Sequence, residues 1–191
     1  MAISSKLKAF LEGSRVKFDA AKHPVVYTAQ EIAAAQHVPG RQLAKSVLVK
    51  TDRGPVLAVL PAVSLIDWKR LKAALAVKSV TLAKESDIKA QFPDVEVGAM
   101  SPFGNLYDVP VIVDRQLGEA QAIVFNAGSH TDTIKLKYAD FQRLAKPKVG
   151  AIALVEAKKK PAAKKASKKP VRRPAAKRRP AAKGAKKKSR R

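Results

Sequence analysis

Three stretches of this 191-residue chain hold residue types that could do chemistry: Lys45, the loop Gly98-Ala99-Met100-Ser101-Pro102, and Phe125-Asn126-Ala127-Gly128-Ser129-His130. In the last, the apolar run Ala122–Phe125 leads straight into small residues and then a histidine. Gly128 lacks the β-carbon that would keep a ligand off the backbone, so peptide N–H and C=O groups there are expected to reach a small bound molecule. His130 overhangs that opening, and an imidazole can both donate and accept a hydrogen bond. Lys45 lies between the helix break Pro39-Gly40 and the apolar segment Val47–Val49, where an element meets a loop and a side chain can be aimed inward. Gly98 and Pro102 set a flexible and a rigid residue four apart, suited to a short loop closing over a pocket. Each feature alone is ordinary, since single lysines are mostly solvated and loops collect Gly, Ser and His anyway. Together they offer a cation and bared peptide groups without a strong nucleophile, which suits hydrolysis of an already activated ester.

Composition narrows the classes. Residues 158–191 hold 18 of the 39 Lys and Arg and none of the 15 Asp and Glu. One folded domain is expected over 1–157, long enough for a single core. A disordered tail is expected over 158–191, which has almost nothing apolar to bury. With no cysteine, disulfides, thiolate metal sites and a cysteine nucleophile are excluded. His23, His37 and His130 show no metal-ligand spacing, so neither a metal nor a cofactor is expected. His23 beside Pro24 reads as structural and His37 as solvated. Met1–Gly13 does not fit a signal peptide, and no run approaches the ~18 apolar residues of a membrane span. A soluble cytoplasmic protein is the expectation.

Periodicity supplies the positioning elements. Leu7, Phe10 and Leu11 form one helical face closed by Gly13. Val16, Phe18 and Ala20 alternate as a strand ending at His23-Pro24. Thr28 and Glu31 form a capping box for a helix over about 29–36. The runs 47–49 and 56–60 flank Asp52-Arg53-Gly54 as a hairpin. Asp67 caps a helix with Trp68, Leu71 and Leu75 on one side, which makes Trp68 core rather than a base-stacking platform. Val80 and Leu82 suggest a short strand, and 84–92 a helix with Ile88 and Phe92 four apart. The stretch 93–110 reads as a long functional loop, in which Met100 taken by itself reads as packing. Strands follow at 111–113 and 122–125 around a Leu117-Gly118 turn, then at 134–136. A short helix over 140–145 and a strand over 149–154 complete the domain. The sum is an α+β fold, a mixed and largely antiparallel sheet with helices packed outside.

At this point the chain resembles the YbaK-type, prolyl-tRNA synthetase-associated editing family, which hydrolyses amino acids wrongly attached to tRNA. The resemblance covers about residues 1–155. It is carried by His23-Pro-Val-Val-Tyr-Thr-Ala-Gln-Glu31, Ala44-Lys45, Leu60-Pro61-Ala62, the Gly98–Pro102 loop, Pro102-Phe103-Gly104 and Ala127-Gly128-Ser129-His130. It implies that Lys45 is the site lysine, that Gly98, Met100, Ser101 and Pro102 form the pocket loop, and that Gly128, Ser129 and His130 contact the aminoacyl end. It also implies that the tRNA's own 2′-hydroxyl assists, so that no Ser-His-Asp set is needed. The Ala127–His130 run is closer to the free-standing branch that clears alanyl-tRNA(Pro) than to the cysteinyl-tRNA branch. Ser46 and the helix over 29–36, where relatives tune the pocket, match no known specificity.

On residue chemistry Lys45 is expected to serve as a charged anchor and oxyanion stabiliser. A neutral-base role would need its pKa lowered to about 7 from an ordinary ~10.4, at roughly 4 kcal/mol. His130 is expected to orient water or the terminal ribose. A small pocket selects by clash, which favours small amino acids. The tail's Lys164, Lys165, Lys168, Lys169, Arg172, Arg173, Lys177, Arg178 and Arg179 are expected to bind polyphosphate in a salt-dependent, sequence-independent way, on tRNA, ribosomal RNA or DNA. A second class of function fits the same charges: a non-catalytic nucleic-acid-binding protein with an editing-type recognition domain and a histone-like tail.

Overall fold

The computed structural model describes residues 3–154. The tail cations named above lie outside the described residues.

Two sheets share one interior. The first has the order β1 (Phe18–Lys22), β7 (Asp132–Lys137), β6 (Ala122–Asn126), all antiparallel. The second runs β4 (Val80–Leu82), β2 (Ala44–Thr51), β3 (Gly54–Pro61), β5 (Val111–Asp114), β8 (Lys148–Gly150). Its β4–β2 and β2–β3 pairs are antiparallel, while β3–β5 and β5–β8 are parallel. This is the mixed, mostly antiparallel α+β architecture read from the sequence. Among the described residues one parallel bridge, Leu43 with Val124, joins the sheets, and Val124 N–H donates to Gln42 O at 2.9 Å.

The two-residue period of a strand sorts its side chains by face. In β2, Ala44 and Leu48 enter the main core with Leu57, Val59, Phe103 and Phe125, whereas Val47 and Val49 join Leu71, Ile112 and Ile152 on the other side. In β6, Ile123 and Phe125 face the main core, and Val124 packs with Ile32, Ala33 and Leu43.

Five helices cover these faces: α1 (Ser5–Gly13), α2 (Ala29–Ala35), α3 (Trp68–Leu75), α4 (Glu85–Gln91) and α5 (Tyr138–Ala145). The Thr28–Glu31 capping box forms with both bonds, and Asp67 caps α3 by accepting from Lys69 and Arg70 N–H. Phe103 sits edge-on to Phe10, Phe125 and Phe141, at centroid distances of 5.6 to 5.7 Å.

Four expectations change. Gly13 is not a left-handed cap: α1 passes through it to Ser14, and Arg15 takes the positive φ of 53°. The 111–113 and 122–125 strands do not flank a simple turn; a 3-10 helix over Arg115–Glu119 carries the chain from one sheet to the other. The last strand stops at Gly150, leaving only a bridge from Ala153 to Ile66. Trp68 is 42% exposed, because only Leu71 of its helical stripe is driven fully into the core. No described helix is long and apolar enough to cross a membrane.

Candidate functional site

Where the two sheets meet, a cleft with about 320 Å³ of atom-free space, counting its open mouth, is bounded by four pieces of chain. The start of β2 gives Leu43–Ser46, and α2 with the residue before its cap gives Ile32, Ala29 and Tyr27. The loop gives Gly98 and Met100, and the end of β6 gives Asn126. Lys45, Gly98 and Met100 of the residues singled out from the sequence therefore share one wall. Met100 is only 4% exposed and belongs to the core as well, so packing and lining are the same act for this side chain.

Lys45 is the second residue of β2, opposite Leu60, on the face that looks toward α3. Its Nζ donates to Ser64 O at 2.5 Å and Ala62 O at 3.5 Å, in the segment after β3. Burial pushes its pKa below the ordinary lysine value. An ammonium has three protons; with two held by carbonyls, the third is left for a ligand. Ser46 Oγ and Asn126 Oδ1 also border the cleft, and both are buried atoms with no hydrogen-bond partner. Each such atom costs about 1–3 kcal/mol while it stays unmatched.

The Gly128–His130 turn plays a different part. Gly128 N–H donates to Ala99 O at 3.1 Å, Gly128 O accepts from Glu96 N–H at 3.0 Å, and Ala127 O accepts from Ser4 N–H at 2.8 Å. The free peptide groups expected there are thus engaged inside the protein. Gly128 has a φ of +105°, and a β-carbon on it would stand 3.0 Å from Ser4 Cβ. The glycine admits the start of α1 rather than a ligand. Ser129 is fully buried and donates to Asp132 Oδ2 at 2.7 Å. Burial alone would raise the Asp132 pKa, but hydrogen bonds from Thr131 and Ser129 and the charge of Lys22 bring it below the ordinary range. Ser101 and Pro102 are also buried behind the loop and do not border the cleft.

His130 stands against the back of Gly98, whose added β-carbon would lie 3.5 Å from its Cε1. Its backbone N–H donates to Glu96 Oε2 at 2.8 Å, and its Nε2 is 2.9 Å from Val97 O. A carbonyl only accepts, so Nε2 is the donor in this contact. Its Nδ1 is buried without a partner. The ring packs against Tyr27 with centroids 4.9 Å apart and planes tilted by 58°. Gly98 itself has a φ of +91°, a conformation that strains any side-chain-bearing residue. His130 therefore fixes the loop that carries Gly98. His23 is buried with Nδ1 2.8 Å from Pro24 O, and His37 is exposed.

Residues 23–144 match the model of the aminoacyl-tRNA editing domain. The chain belongs to this family. The editing domain is 32% identical over 81 residues to the proline–tRNA ligase of Thermosipho africanus (strain TCF52B), a match covering 42% of this chain and 14% of the ligase. Among solved structures, one described as a candidate trans-editing enzyme for prolyl-tRNA synthetase superposes with a TM-score of 0.71 at 16% identity. It covers 81% of this chain and 100% of the other. A hypothetical protein, APE2540, superposes with a TM-score of 0.72 at 16% identity, covering 78% and 100%. At that identity the two structures speak to the fold of the editing domain.

Tyr27, Ser46 and Asn126 are the polar lining residues that residue chemistry alone did not single out. Ser46 and α2 were flagged only as places where relatives tune their pockets. Asn126 stood inside the quoted 125–130 stretch, but only its tertiary position at the end of β6 shows that it lines the cleft and that its Oδ1 is unpaired.

Proposed function

We propose that this editing domain hydrolyses the ester of a small amino acid mischarged on tRNA, alanyl-tRNA(Pro) being the first candidate. The observation that supports this reading best is the small cleft lined by Lys45, whose Nζ keeps one uncommitted proton, and by Ser46 and Asn126, whose Oγ and Oδ1 are unpaired. An aminoacyl ester carries a protonated α-amine and a carbonyl. Asn126 Oδ1 and Ser46 Oγ accept from the amine, and Lys45 donates to the carbonyl oxygen as negative charge develops on it. Water adds to the carbonyl carbon, the carbon–oxygen bond to the ribose breaks, and the free amino acid and a tRNA with a restored hydroxyl leave. His130 acts by holding Gly98 so that the peptide wall stays close to the acyl group. Larger side chains are excluded by clash, which discriminates better than any gain per methylene. In this reading the tail, including Lys164, Lys165, Lys168, Lys169, Arg172, Arg173, Lys177, Arg178 and Arg179, raises the local tRNA concentration through counterion release.

The test is a panel of radiolabelled mischarged tRNAs incubated with the full chain and with Lys45→Ala. Hydrolysis of Ala-, Ser- or Gly-tRNA by the wild type and its loss in the variant is the expected result. Retained activity in Lys45→Ala, or faster cleavage of bulky aminoacyl groups, overturns the assignment. Binding of tRNA without cleavage of any ester would favour the non-catalytic nucleic-acid-binding reading.

A further inference from the structure

The segment from β3 to α3 shows an apolar surface that folding does not explain. Val63, Leu65 and Trp68 are 46%, 62% and 42% exposed. Leu154, also exposed, donates its N–H to Leu65 O at 2.8 Å and so adds to the same patch. Ser64, between the two exposed aliphatics, is buried, and its carbonyl is the one that holds Lys45 Nζ. The patch thus begins one residue from the anchor of the cleft's lysine.

It continues into cations. Lys69, Arg70 and Lys72 on α3 are exposed. The carboxylate of Asp67 is occupied in capping Lys69 and Arg70 N–H and in pairing with Arg70 Nε at 3.3 Å. Lys69 and Lys72 have no carboxylate partner among the described residues. Cations in the first turn of a helix oppose its macrodipole, so helix formation does not account for Lys69. One exposed indole among aliphatic groups, beside unpaired cations, fits a polyanion with exposed π-faces, which is single-stranded nucleic acid. Four peptide units separate Ser64 from Trp68, at most about 14 Å, well within the span of a short single strand.

We propose that the Val63–Trp68 segment and the start of α3 receive the unpaired 3′ end of the tRNA, with Trp68 stacking a base and Lys69 and Lys72 neutralising adjoining phosphates. This rests on the deacylase reading and adds to it the surface that guides the ester toward Lys45. An acidic peptide would satisfy the cations but not the continuity with the cleft.

Trp68 is the single tryptophan of the chain, so its fluorescence reports on this surface separately from the basic tail. Full-length protein is titrated with an RNA minihelix ending in a single-stranded 3′ overhang, with the same duplex made blunt, and with an acidic peptide. Quenching by the overhang and not by the blunt duplex is expected. With mischarged tRNA, Lys69→Ala/Lys72→Ala should raise KM several-fold with kcat within about twofold, and should flatten the log–log salt dependence by about 1.5. Trp68→Ala should raise KM and Trp68→Phe should restore it. Equal responses to blunt and overhanging RNA, unchanged KM and salt slope in the double variant, or quenching by the peptide alone would overturn the proposal. Failure of the deacylase reading shows itself differently, as absence of hydrolysis by the wild type whatever Trp68 reports.

Discussion

The start of β2 and the turn after β6 look alike in sequence, each pairing small residues with one titratable side chain, yet they differ in how their polar groups are used. Around Gly128 and Ser129 the polar groups are matched inside the protein: Ser129 and Thr131 donate to Asp132, and the Ala127 and Gly128 peptides bond to Ser4, Glu96 and Ala99. At Ala44–Ser46 and the facing Asn126, a hydroxyl and an amide oxygen have no partner and a lysine holds one proton in reserve. Unmatched buried atoms occur in both regions, since His130 Nδ1 also lacks a partner; what distinguishes the start of β2 and Asn126 is that their unmatched atoms belong to residues lining a cleft.

The sharpest break of this contrast is Lys45→Ala. Deacylation should fall at least ~100-fold, as for removal of a donor to a developing oxyanion, while the thermal midpoint stays within a few degrees. A variant that loses stability but keeps turnover would make Lys45 scaffold too. Ser129→Ala should do the opposite. It removes a buried donor to a carboxylate and should cost about 1–3 kcal/mol in urea unfolding, with activity per folded molecule unchanged.

Asn126→Ala should lower kcat/KM roughly tenfold, about the worth of one charge-assisted hydrogen bond to the substrate amine. Stability should hold or rise slightly, because an unpartnered oxygen is removed. A large stability loss there would erase the distinction between the two regions.

pH should separate them as well. Burial lowers the Lys45 pKa, so a rate that needs its ammonium should decline on the alkaline side below the ordinary lysine value of ~10.4. Lys45→Arg should remove that limb. The stability linkage of Lys45 has its own sign: the unfolded chain keeps this proton longer, so its unfavourable contribution shrinks as pH rises through the lowered value. Asp132 behaves inversely. Its folded pKa is depressed, so its contribution is present above ~3.9 and is lost as pH falls through the lower folded value. Acid titration of unfolding in wild type and Asp132→Asn measures it.

Much of this was legible in the chain because it is local. The Thr28–Glu31 box, the Asp67 cap and the hairpin about Asp52-Arg53-Gly54 depend on neighbours a few residues away, and all three form. Lys45 and Gly98 were legible as candidates because a cation at a strand start and a glycine in a loop are local signals. Gly128 was singled out for the absence of a β-carbon, but the group that uses the space is Ser4, 124 positions earlier in the chain. No spacing rule could show that. Trp68 was misplaced for a related reason: helical periodicity puts it on the stripe of Leu71, yet Leu71 alone of that stripe is fully buried and Trp68 stays 42% exposed. Asn126 and Ser46 line one cleft because β6 and β2 meet near the Leu43–Val124 bridge, a contact between segments some eighty residues apart.

That bridge has a further consequence. Among the described residues one stitch of backbone fastens the two sheets beside the cleft, so the spacing of the sheets there contributes to the width available to an acyl group. A bulkier side chain at Val124, which does not line the cleft, would tune selectivity from outside the chamber, prying the margins apart while leaving each sheet's own ladder intact.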